Sequence, residues 1–291
     1  RATKVLVTGA TGFIGRSLKL FFQQRKNYQI FYPTRAELNL LERDECRKFL
    51  EIHRPDIIIH CAVNINSIDD SLRAFYNILS GHENFKSMLY LGSGAEYNPS
   101  KYVPLMTEEF AENSFPEGDY PLGKWIIGND IENSSLGKVI NLRLFGVYGK
   151  FEDYNRRFIS NNICRVLAGH PVSLNKDMKF DYLFVDDLSS YIEKILLATA
   201  PRKKTYNICT GKPVRLSELG EIIRDLMGVK EPLRIKMGGE NREYSGNPSR
   251  AIAEFGPMNL TPHKDAVATL IPYFEKMFSE NSELRAKFKV L

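Results

Sequence analysis

The stretch VLVTGATGFIG, at residues 5–15, is the feature that most constrains the fold of this chain. Its apolar and β-branched residues predict a buried strand, which leads into Gly9, Gly12 and Gly15 and then into a segment with helical periodicity. Glycines at such a junction permit a tight turn and close approach of a pyrophosphate, whose charge a helix N-terminus favours. A turn that uses glycine for packing alone is the alternative, but it needs fewer glycines. The stretch therefore predicts a nucleotide cradle.

Short apolar runs alternate with helical segments along the chain, which predicts a parallel sheet covered on both faces. We expect an α/β fold with a Rossmann-type doubly wound parallel sheet over residues 1–145, to which elements near 180–210 return. A smaller mixed α/β substrate domain is predicted over residues 146–291. The predicted strands are residues 4–7, 28–32, 56–60, 87–91, 138–144, 182–188 and 205–209. The predicted helices are residues 14–24, 43–51, 71–79, 120–133, 158–168, 188–199 and 216–227, and residues 238–248 are expected to form an ordered loop.

Composition narrows the function classes. The 291 residues carry a net charge of +5 without a basic block, which argues against nucleic-acid and membrane partners. No apolar run reaches the length of a membrane span, and no signal peptide opens the sequence. Cys46, Cys61, Cys164 and Cys209 are far apart and form no CxxC, so we expect reduced thiols, a cytoplasmic location and no metal site.

The segment YPLGK places Tyr120 and Lys124 four residues apart, on one face of a predicted helix. A free phenol, with a pKa of about 10, is a weak base near neutral pH, and a neighbouring ammonium group lowers that pKa. A YxxxK pattern alone is usual on surface helices. Downstream of the glycine loop, it predicts a pair that transfers a proton while a hydride moves.

The segment TGATGFIG resembles the short-chain dehydrogenase/reductase superfamily, particularly its extended branch of sugar-nucleotide epimerases, dehydratases and reductases. The resemblance continues through PDIIIHCA, LGSGAEY, YPLGK, NLRLFGVYG, DYLFVDDL and YNICTGKPVRLSEL, over most of residues 4–260. It implies that Ser93 positions a substrate oxygen, Tyr120 transfers its proton, and Lys124 lowers the Tyr120 pKa and binds the nicotinamide ribose. It also implies a homodimer. The expected cofactor contacts are Gly9, Thr11, Gly12, Phe13, Ile14, Gly15, Arg35, Asn39, Leu40, Cys61, Ala62, Tyr120 and Lys124.

The second strand is followed by Arg35 rather than by an acid, which favours NADP(H) over NAD(H). A guanidinium binds a 2′-phosphate in bidentate fashion, whereas a carboxylate would repel it. The alternative is that Arg35 only caps a solvated turn. The stretch TRAELNL is also similar to that of GDP-fucose synthase-type reductases, which use NADPH. Asn39 stands where much of the family has an Asp, and an amide can still reach the adenine edge.

The residues after Ser93 separate the reactions of the family. Its 4,6-dehydratases have Asp and Glu there, and GDP-fucose synthase-type enzymes have a Cys at the second place, whereas this chain has Gly94 and Ala95. Glu96 comes one place late and points to the opposite face if the strand continues. We expect redox chemistry at one carbon of a nucleotide-activated sugar, with keto-sugar reduction slightly favoured. A nucleotide-sugar 4-epimerase is the alternative, and a non-catalytic cofactor-binding sensor or scaffold is a distant one.

The second half of the chain departs from the resemblance where the substrate should bind. Arg242, in GGENREYSGNPS, is the nearest match to a family Arg that contacts the substrate diphosphate. Phe180 replaces a second family Arg, with Lys179 beside it, and Gly146 replaces an amide side chain. We expect Ser93, Arg242 and Lys179 to contact the substrate in a reshaped pocket, opened further by a short segment after Ala62.

Overall fold

The computed structural model describes residues 2–111, 114–135, 137–198 and 200–288. The strands are β1 (Thr3–Thr8), β2 (Tyr28–Phe31), β3 (Ile57–His60), β4 (Ser87–Ser93), β5 (Val139–Leu144), β6 (Gly146–Tyr148), β7 (Ser173–Leu174), β8 (Lys179–Phe180), β9 (Tyr182–Phe184), β10 (Thr205–Ile208), β11 (Val214–Arg215) and β12 (Arg234–Ile235). The helices are α1 (Phe13–Phe22), α2 (Arg43–His53), α3 (Ile68–Leu79), α4 (Asp119–Asn133), α5 (Phe158–Leu167), α6 (Val185–Leu196), α7 (Leu216–Leu226), α8 (Ser249–Phe255), α9 (His263–Glu280) and α10 (Leu284–Lys287).

Six parallel strands form the central sheet, in the order β10-β5-β4-β3-β1-β2. Side chains alternate between its faces, as the twofold repeat of a strand requires. Val5 and Val7 of β1 pack in one core with α1, α6 and α8, while Leu6 packs in another core with α2, α3 and α4. The predicted doubly wound parallel sheet is therefore confirmed.

Elements from the second half of the chain return to this sheet. Strand β10 pairs with β5, and α6 packs beside α1. The pairs β6–β9, β8–β11 and β7–β12 form three small two-stranded sheets outside it. Helices α5, α7 and α9 enclose a separate apolar core that includes Ile163, Leu219 and Phe274. The division into two domains at residue 145 stays a prediction.

The structure corrects the element predicted at residues 182–188. Strand β9 ends at Phe184, and α6 begins at Val185, three residues earlier than expected. The helix begins early because Val185, Leu188 and Ile192 have the spacing of one buried helical face. The predicted end of this helix, Thr199, lies outside the described residues. The sequence patterns also left α8 and α9 without a predicted counterpart.

In the part of the chain that the structure describes, no helix is both long and apolar enough to cross a membrane. No group of three or more His, Cys, Asp or Glu side chains in the same residues could hold a metal ion.

Candidate active site

The strand order places a topological switch point between β1 and β3. Strand β2 lies on one side of β1 and β3 on the other, so the two connections diverge there. Ligands of open α/β sheets bind in the crevice at the carboxyl ends of strands at such a point. A cleft of about 1020 Å³ opens at this place, lined by the segments that follow β1, β3, β4 and β5.

The three glycines of the first loop have different roles. Gly9 has a φ of +67°, and a Cβ there would lie 2.7 Å from the backbone N of Ala62. A Cβ on Gly15 would overlap the carbonyl O of Gly9. A Cβ on Gly12 would have only that same oxygen nearby, at 3.4 Å, which is an ordinary contact. Packing thus accounts for Gly9 and Gly15, whereas Gly12 leaves open the cleft side of the helix N-terminus, as a bound pyrophosphate requires.

Every residue predicted to contact the cofactor lines the cleft. Arg35 is exposed and lies beside Pro33 at the end that follows β2. The Oδ1 atom of Asn39 accepts a hydrogen bond of 3.2 Å from the backbone N of Leu41, which orients the amide. The residues in question are Gly9, Thr11, Gly12, Phe13, Ile14, Gly15, Arg35, Asn39, Leu40, Cys61, Ala62, Tyr120 and Lys124.

The predicted catalytic residues also meet in the cleft. Ser93 ends β4, and its side chain is hydrogen-bonded to that of Tyr120, in the first turn of α4. The backbone N of Ala95 donates to Ser93 Oγ at 3.0 Å, which fixes that oxygen. Lys124, one turn after Tyr120, is buried and donates from Nζ to the carbonyl O of Leu91 at 2.5 Å.

Burial raises the pKa of Tyr120 above its ordinary value. The hydrogen bond with Ser93 and the charge of Arg157 oppose that rise, whereas Glu96 adds to it. The structure thus differs from the expected lowering by Lys124, because desolvation is the largest influence and the opposing cation is Arg157. The phenol is protonated near neutral pH, which suits it to donate a proton.

Burial lowers the pKa of Lys124 to about 8, and the negative charge of Glu96 counteracts part of that effect. The Nζ atom lies 4.8 Å from the centre of the Tyr90 ring and 5.9 Å from that of Tyr120. An ammonium group in this position loses its charge just above physiological pH.

Glu96 points into the protein, away from the cleft, and is fully buried. The predicted direction is right, but the reason is different: residues 94–96 form a 3-10 turn instead of continuing the strand. One carboxylate oxygen accepts from the Arg143 Nε at 2.6 Å, and the other accepts from the Ser93 backbone N at 3.1 Å. Space for this carboxylate exists because residues 92 and 128 are glycines, where a Cβ would overlap it.

The described cleft lining offers no acid at the place of the dehydratase pair that follows Ser93. Ala95 lines the cleft and carries no titratable group. Among the cleft-lining residues that the structure describes, Asp70 is the acidic one, and it already accepts a hydrogen bond of 2.9 Å from the Asn64 amide.

The structure brings Ser93 to the cleft but neither Arg242 nor Lys179. Arg242 is exposed and donates from Nη1 to the carbonyl O of Ser100 at 2.7 Å. Lys179 is exposed on β8, where it pairs with Arg215 of β11. Neither residue lines the cleft, so the substrate contact that the resemblance implies for them stays a prediction.

Other side chains, which the sequence patterns did not indicate, line this end of the cleft. Two are the consecutive cations Arg156 and Arg157, from the segment between β6 and α5. The others form an aromatic wall, consisting of Tyr102, Phe145, Phe180, Tyr182 and Tyr244. No motif marks the two arginines. The sequence did contain an indication of the aromatic wall, because Gly146 and Phe180 both depart from the family pattern. In the structure these two residues are in contact, since a Cβ at 146 would overlap the Phe180 ring.

The parallel sheet, with a glycine loop and a cleft at its switch point, has the architecture of a dinucleotide-binding α/β protein. Residues 5–209 match the NAD dependent epimerase/dehydratase family, and the chain belongs to that family. It is an enzyme of the short-chain dehydrogenase/reductase type, as the resemblance predicted.

The chain is similar over nearly its whole length to proteins of known activity. GDP-L-colitose synthase of Yersinia pseudotuberculosis is 23% identical over 304 residues, which cover 93% of this chain and 97% of the relative. The NADP-bound GDP-mannoheptose C4 reductase of Campylobacter jejuni superposes with a TM-score of 0.80 at 20% identity, covering 94% and 98% of the two chains. UDP-glucose 4-epimerase of Thermotoga maritima, solved with UDP-glucose, has the same TM-score at 19% identity and covers 95% and 100%.

Proposed function

We propose that this protein is an NADP(H)-dependent reductase that acts on the keto group at one carbon of a nucleotide-activated sugar. The observation that carries the proposal is the hydrogen-bonded Ser93–Tyr120 pair, whose phenol has a raised pKa and faces the cleft that contains the glycine loop. The names of the relatives support a nucleotide-sugar substrate, since they include both a GDP-sugar synthase and a GDP-sugar reductase.

The preference for NADP(H) is supported by charge. Arg35 lines the cleft beyond the second strand, where an acid would repel a 2′-phosphate. The described part of the cleft wall carries four cationic side chains, Arg35, Lys124, Arg156 and Arg157, against the single carboxylate of Asp70. Such an excess favours anionic ligands, of which NADP(H) is more highly charged than NAD(H).

The residues of the chain divide the chemistry among them. When bound, NADPH supplies the hydride that the carbonyl carbon accepts. The Ser93 hydroxyl and the Tyr120 phenol hydrogen-bond the keto oxygen, and Tyr120 donates its proton to that oxygen as negative charge develops. The product is an alcohol, and the phenolate left on Tyr120 takes a proton from solvent. The nearby positive charge of Arg157 stabilises that phenolate, consistent with its lowering influence on the Tyr120 pKa.

The test is turnover of NADPH with a panel of 4-keto sugars linked to GDP, UDP or dTDP. We expect NADPH oxidation that matches the alcohol formed, mole for mole, with at least one member. Isomerisation of a 4-hydroxy sugar nucleotide, without net cofactor consumption, would instead establish the second candidate, a 4-epimerase. The same Ser93–Tyr120 pair serves that reaction, although a raised pKa leaves less of the phenolate that an oxidation step needs as its base.

Two further expectations are part of the proposal. A non-catalytic sensor or scaffold would bind NADP(H) without turning over any member of the panel, and Tyr120→Phe would leave its behaviour unchanged. The chain is also proposed to form a homodimer, for which light scattering on the purified protein is the direct measurement.

A further inference from the structure

We propose that Arg157, with Arg156 beside it, binds the phosphate groups of the substrate. This inference rests on the proposed function, because it names the chain's own contacts for the diphosphate of a nucleotide sugar. It assigns that contact to the segment between β6 and α5 instead of to Arg242.

Positive charge is distributed unevenly along the cleft. Of the four cations on the described wall, Arg35 lies beyond β2, and Lys124 is buried against the carbonyl of Leu91. Arg156 and Arg157 are the remaining two, and both are exposed. Arg156 has a weak ion pair of 3.7 Å with exposed Asp153, and Arg157 forms no salt bridge with any described residue. Both guanidinium groups are thus available to an anion.

The environment of Arg157 also favours an anion. Glu152, on whose pKa Arg157 acts, is buried, accepts a hydrogen bond from Ser160, and has a pKa raised by burial to about 7. A carboxyl group that is partly protonated at neutral pH competes poorly for a guanidinium. Arg157 also acts electrostatically on Tyr120 and Tyr182, so it lies near the catalytic phenol. An anion bound to Arg157 would therefore lie close to the reacting carbon.

The aromatic wall of the cleft consists of uncharged side chains. The Phe180 ring occupies the space beside Gly146, at 4.4 Å from the Tyr182 ring and 4.8 Å from the Tyr244 ring, measured between centroids. These rings are tilted against one another and carry no charge of their own. An aromatic face suits the C–H face of a sugar ring, whereas a planar guanidinium binds phosphate oxygens in bidentate fashion. The two features match the two parts of a sugar phosphate.

The experiment measures binding of GDP, UDP and dTDP to protein saturated with NADP⁺, by calorimetry and thermal shift. At least one nucleoside diphosphate is expected to bind the wild-type protein, and the corresponding nucleoside without phosphates is expected to bind far more weakly. Arg157→Ala should weaken diphosphate binding about tenfold or more, and Arg156→Ala by less, since a charged hydrogen bond is worth more than one tenfold step. The matched controls, Arg242→Ala and Lys179→Ala, should leave the affinity unchanged.

The outcomes separate this inference from the proposed function. If wild-type protein fails to bind NADP⁺, the proposed function falls. If it binds NADP⁺ but Arg242→Ala loses the diphosphate while Arg157→Ala retains it, the assignment to Arg157 is overturned. Failure of every diphosphate to bind the NADP⁺-saturated protein overturns it as well. Arg157→Lys, which keeps the charge but not the bidentate geometry, should show an intermediate affinity with unchanged NADP⁺ binding, and this variant decides the matter if Arg157→Ala does not fold.

Discussion

The two ends of the cleft are built in different ways. At the cofactor end, the wall comes from three short segments at or just after the ends of strands, within residues 8–15, 33–41 and 61–66. At the substrate end, the wall combines single side chains from distant parts of the chain, such as Ser93, Arg157 and Tyr244. A short segment carries its geometry in its own backbone, whereas the substrate end depends on the packing of separate elements, including the small sheets β6–β9 and β8–β11.

This difference explains why one end follows the family pattern and the other does not. At the glycine loop, a Cβ on residue 9 or 15 would overlap backbone, so those positions tolerate little change. At the substrate end, Phe180 and Gly146 compensate for each other, a large ring beside a missing side chain. Regions built from interchangeable side chains are where substrate preference can change without loss of the fold.

The largest effect on activity is expected from Tyr120→Phe, because Tyr120 lies where the cofactor end and the substrate end of the cleft meet. Removing the proton donor should lower the turnover number by about 10²- to 10⁴-fold, the usual contribution of general acid catalysis. Affinity for NADPH, measured by fluorescence, should change little. Tyr76→Phe, on the neighbouring helix α3, removes a hydroxyl that bonds Asp130 outside the cleft and is the matched control. Full turnover by Tyr120→Phe would contradict the mechanism.

The next prediction separates packing from binding within the glycine loop. Gly15→Ala forces a methyl group into the carbonyl of Gly9 and should lower the free energy of unfolding by about 2 kcal/mol. Gly12→Ala has room for its methyl group, so its stability should change by no more than about 0.5 kcal/mol. Its affinity for NADPH should fall about tenfold, because the methyl group occupies the approach of the pyrophosphate.

Denaturant unfolding measures the stability of the wild type, Gly12→Ala and Gly15→Ala, and calorimetric titration measures their affinity for NADPH. Gly238→Ala, at a position with open space around it, is the control for the substitution itself. Equal losses of stability for Gly12→Ala and Gly15→Ala would mean that the whole loop is a packing device.

Arg35→Ala tests the part of the cofactor end that follows β2, where a 2′-phosphate would bind. Loss of the guanidinium should weaken NADPH about tenfold while leaving NADH nearly unchanged, because only NADPH has a phosphate there. The ratio of the two dissociation constants is the measurement. Arg43→Ala, an exposed residue at the start of α2 that is not part of the cleft wall, serves as the control. An unchanged ratio would leave Arg35 as a capping residue only.

The smallest effect concerns pH. The Lys124 pKa of about 8 lies below that of an unfolded lysine, so between those two values the unfolded state binds more protons. Stability contributed at this site must therefore rise with pH, by about 1 kcal/mol between pH 7.5 and 9. Comparing Lys124→Met with wild type over that range isolates the contribution. A constant difference between the two proteins would show that Lys124 titrates normally.

Much of the fold followed from the sequence, because the sheet strands are short apolar runs set between helices of regular period. The sequence prediction failed where the helical periodicity is interrupted or ambiguous. Helix α9, which had no predicted counterpart, contains Pro272, and α6 begins with residues that could equally extend a strand. The cofactor contacts could be predicted from motifs because most of them lie close together in the sequence. Arg157 could not be found this way, since no local pattern reports that a loop beyond β6 faces Tyr120.

Glu96 shows how tertiary structure changes the meaning of a sequence difference. In the sequence it lies one residue after the position of the dehydratase acids, so it resembles a displaced catalytic residue. In the fold it is an internal anion paired with Arg143, and it accepts the backbone N–H of Ser93. The turn at residues 94–96, which the strand pattern did not indicate, makes the difference.

The buried group formed by Glu96, Arg143, Gly92 and Gly128 has a consequence for the evolution of this chain. A side chain at residue 92 or 128 overlaps the carboxylate, and loss of the carboxylate leaves Arg143 as an unpaired internal charge, a change that typically costs about 3–5 kcal/mol. Each single substitution among these four residues is therefore expected to destabilise the fold, and a different arrangement requires several of them to change together. Randomising one of these positions alone is therefore expected to return mostly the native residue, whereas varying all four together is expected to return more folded alternatives.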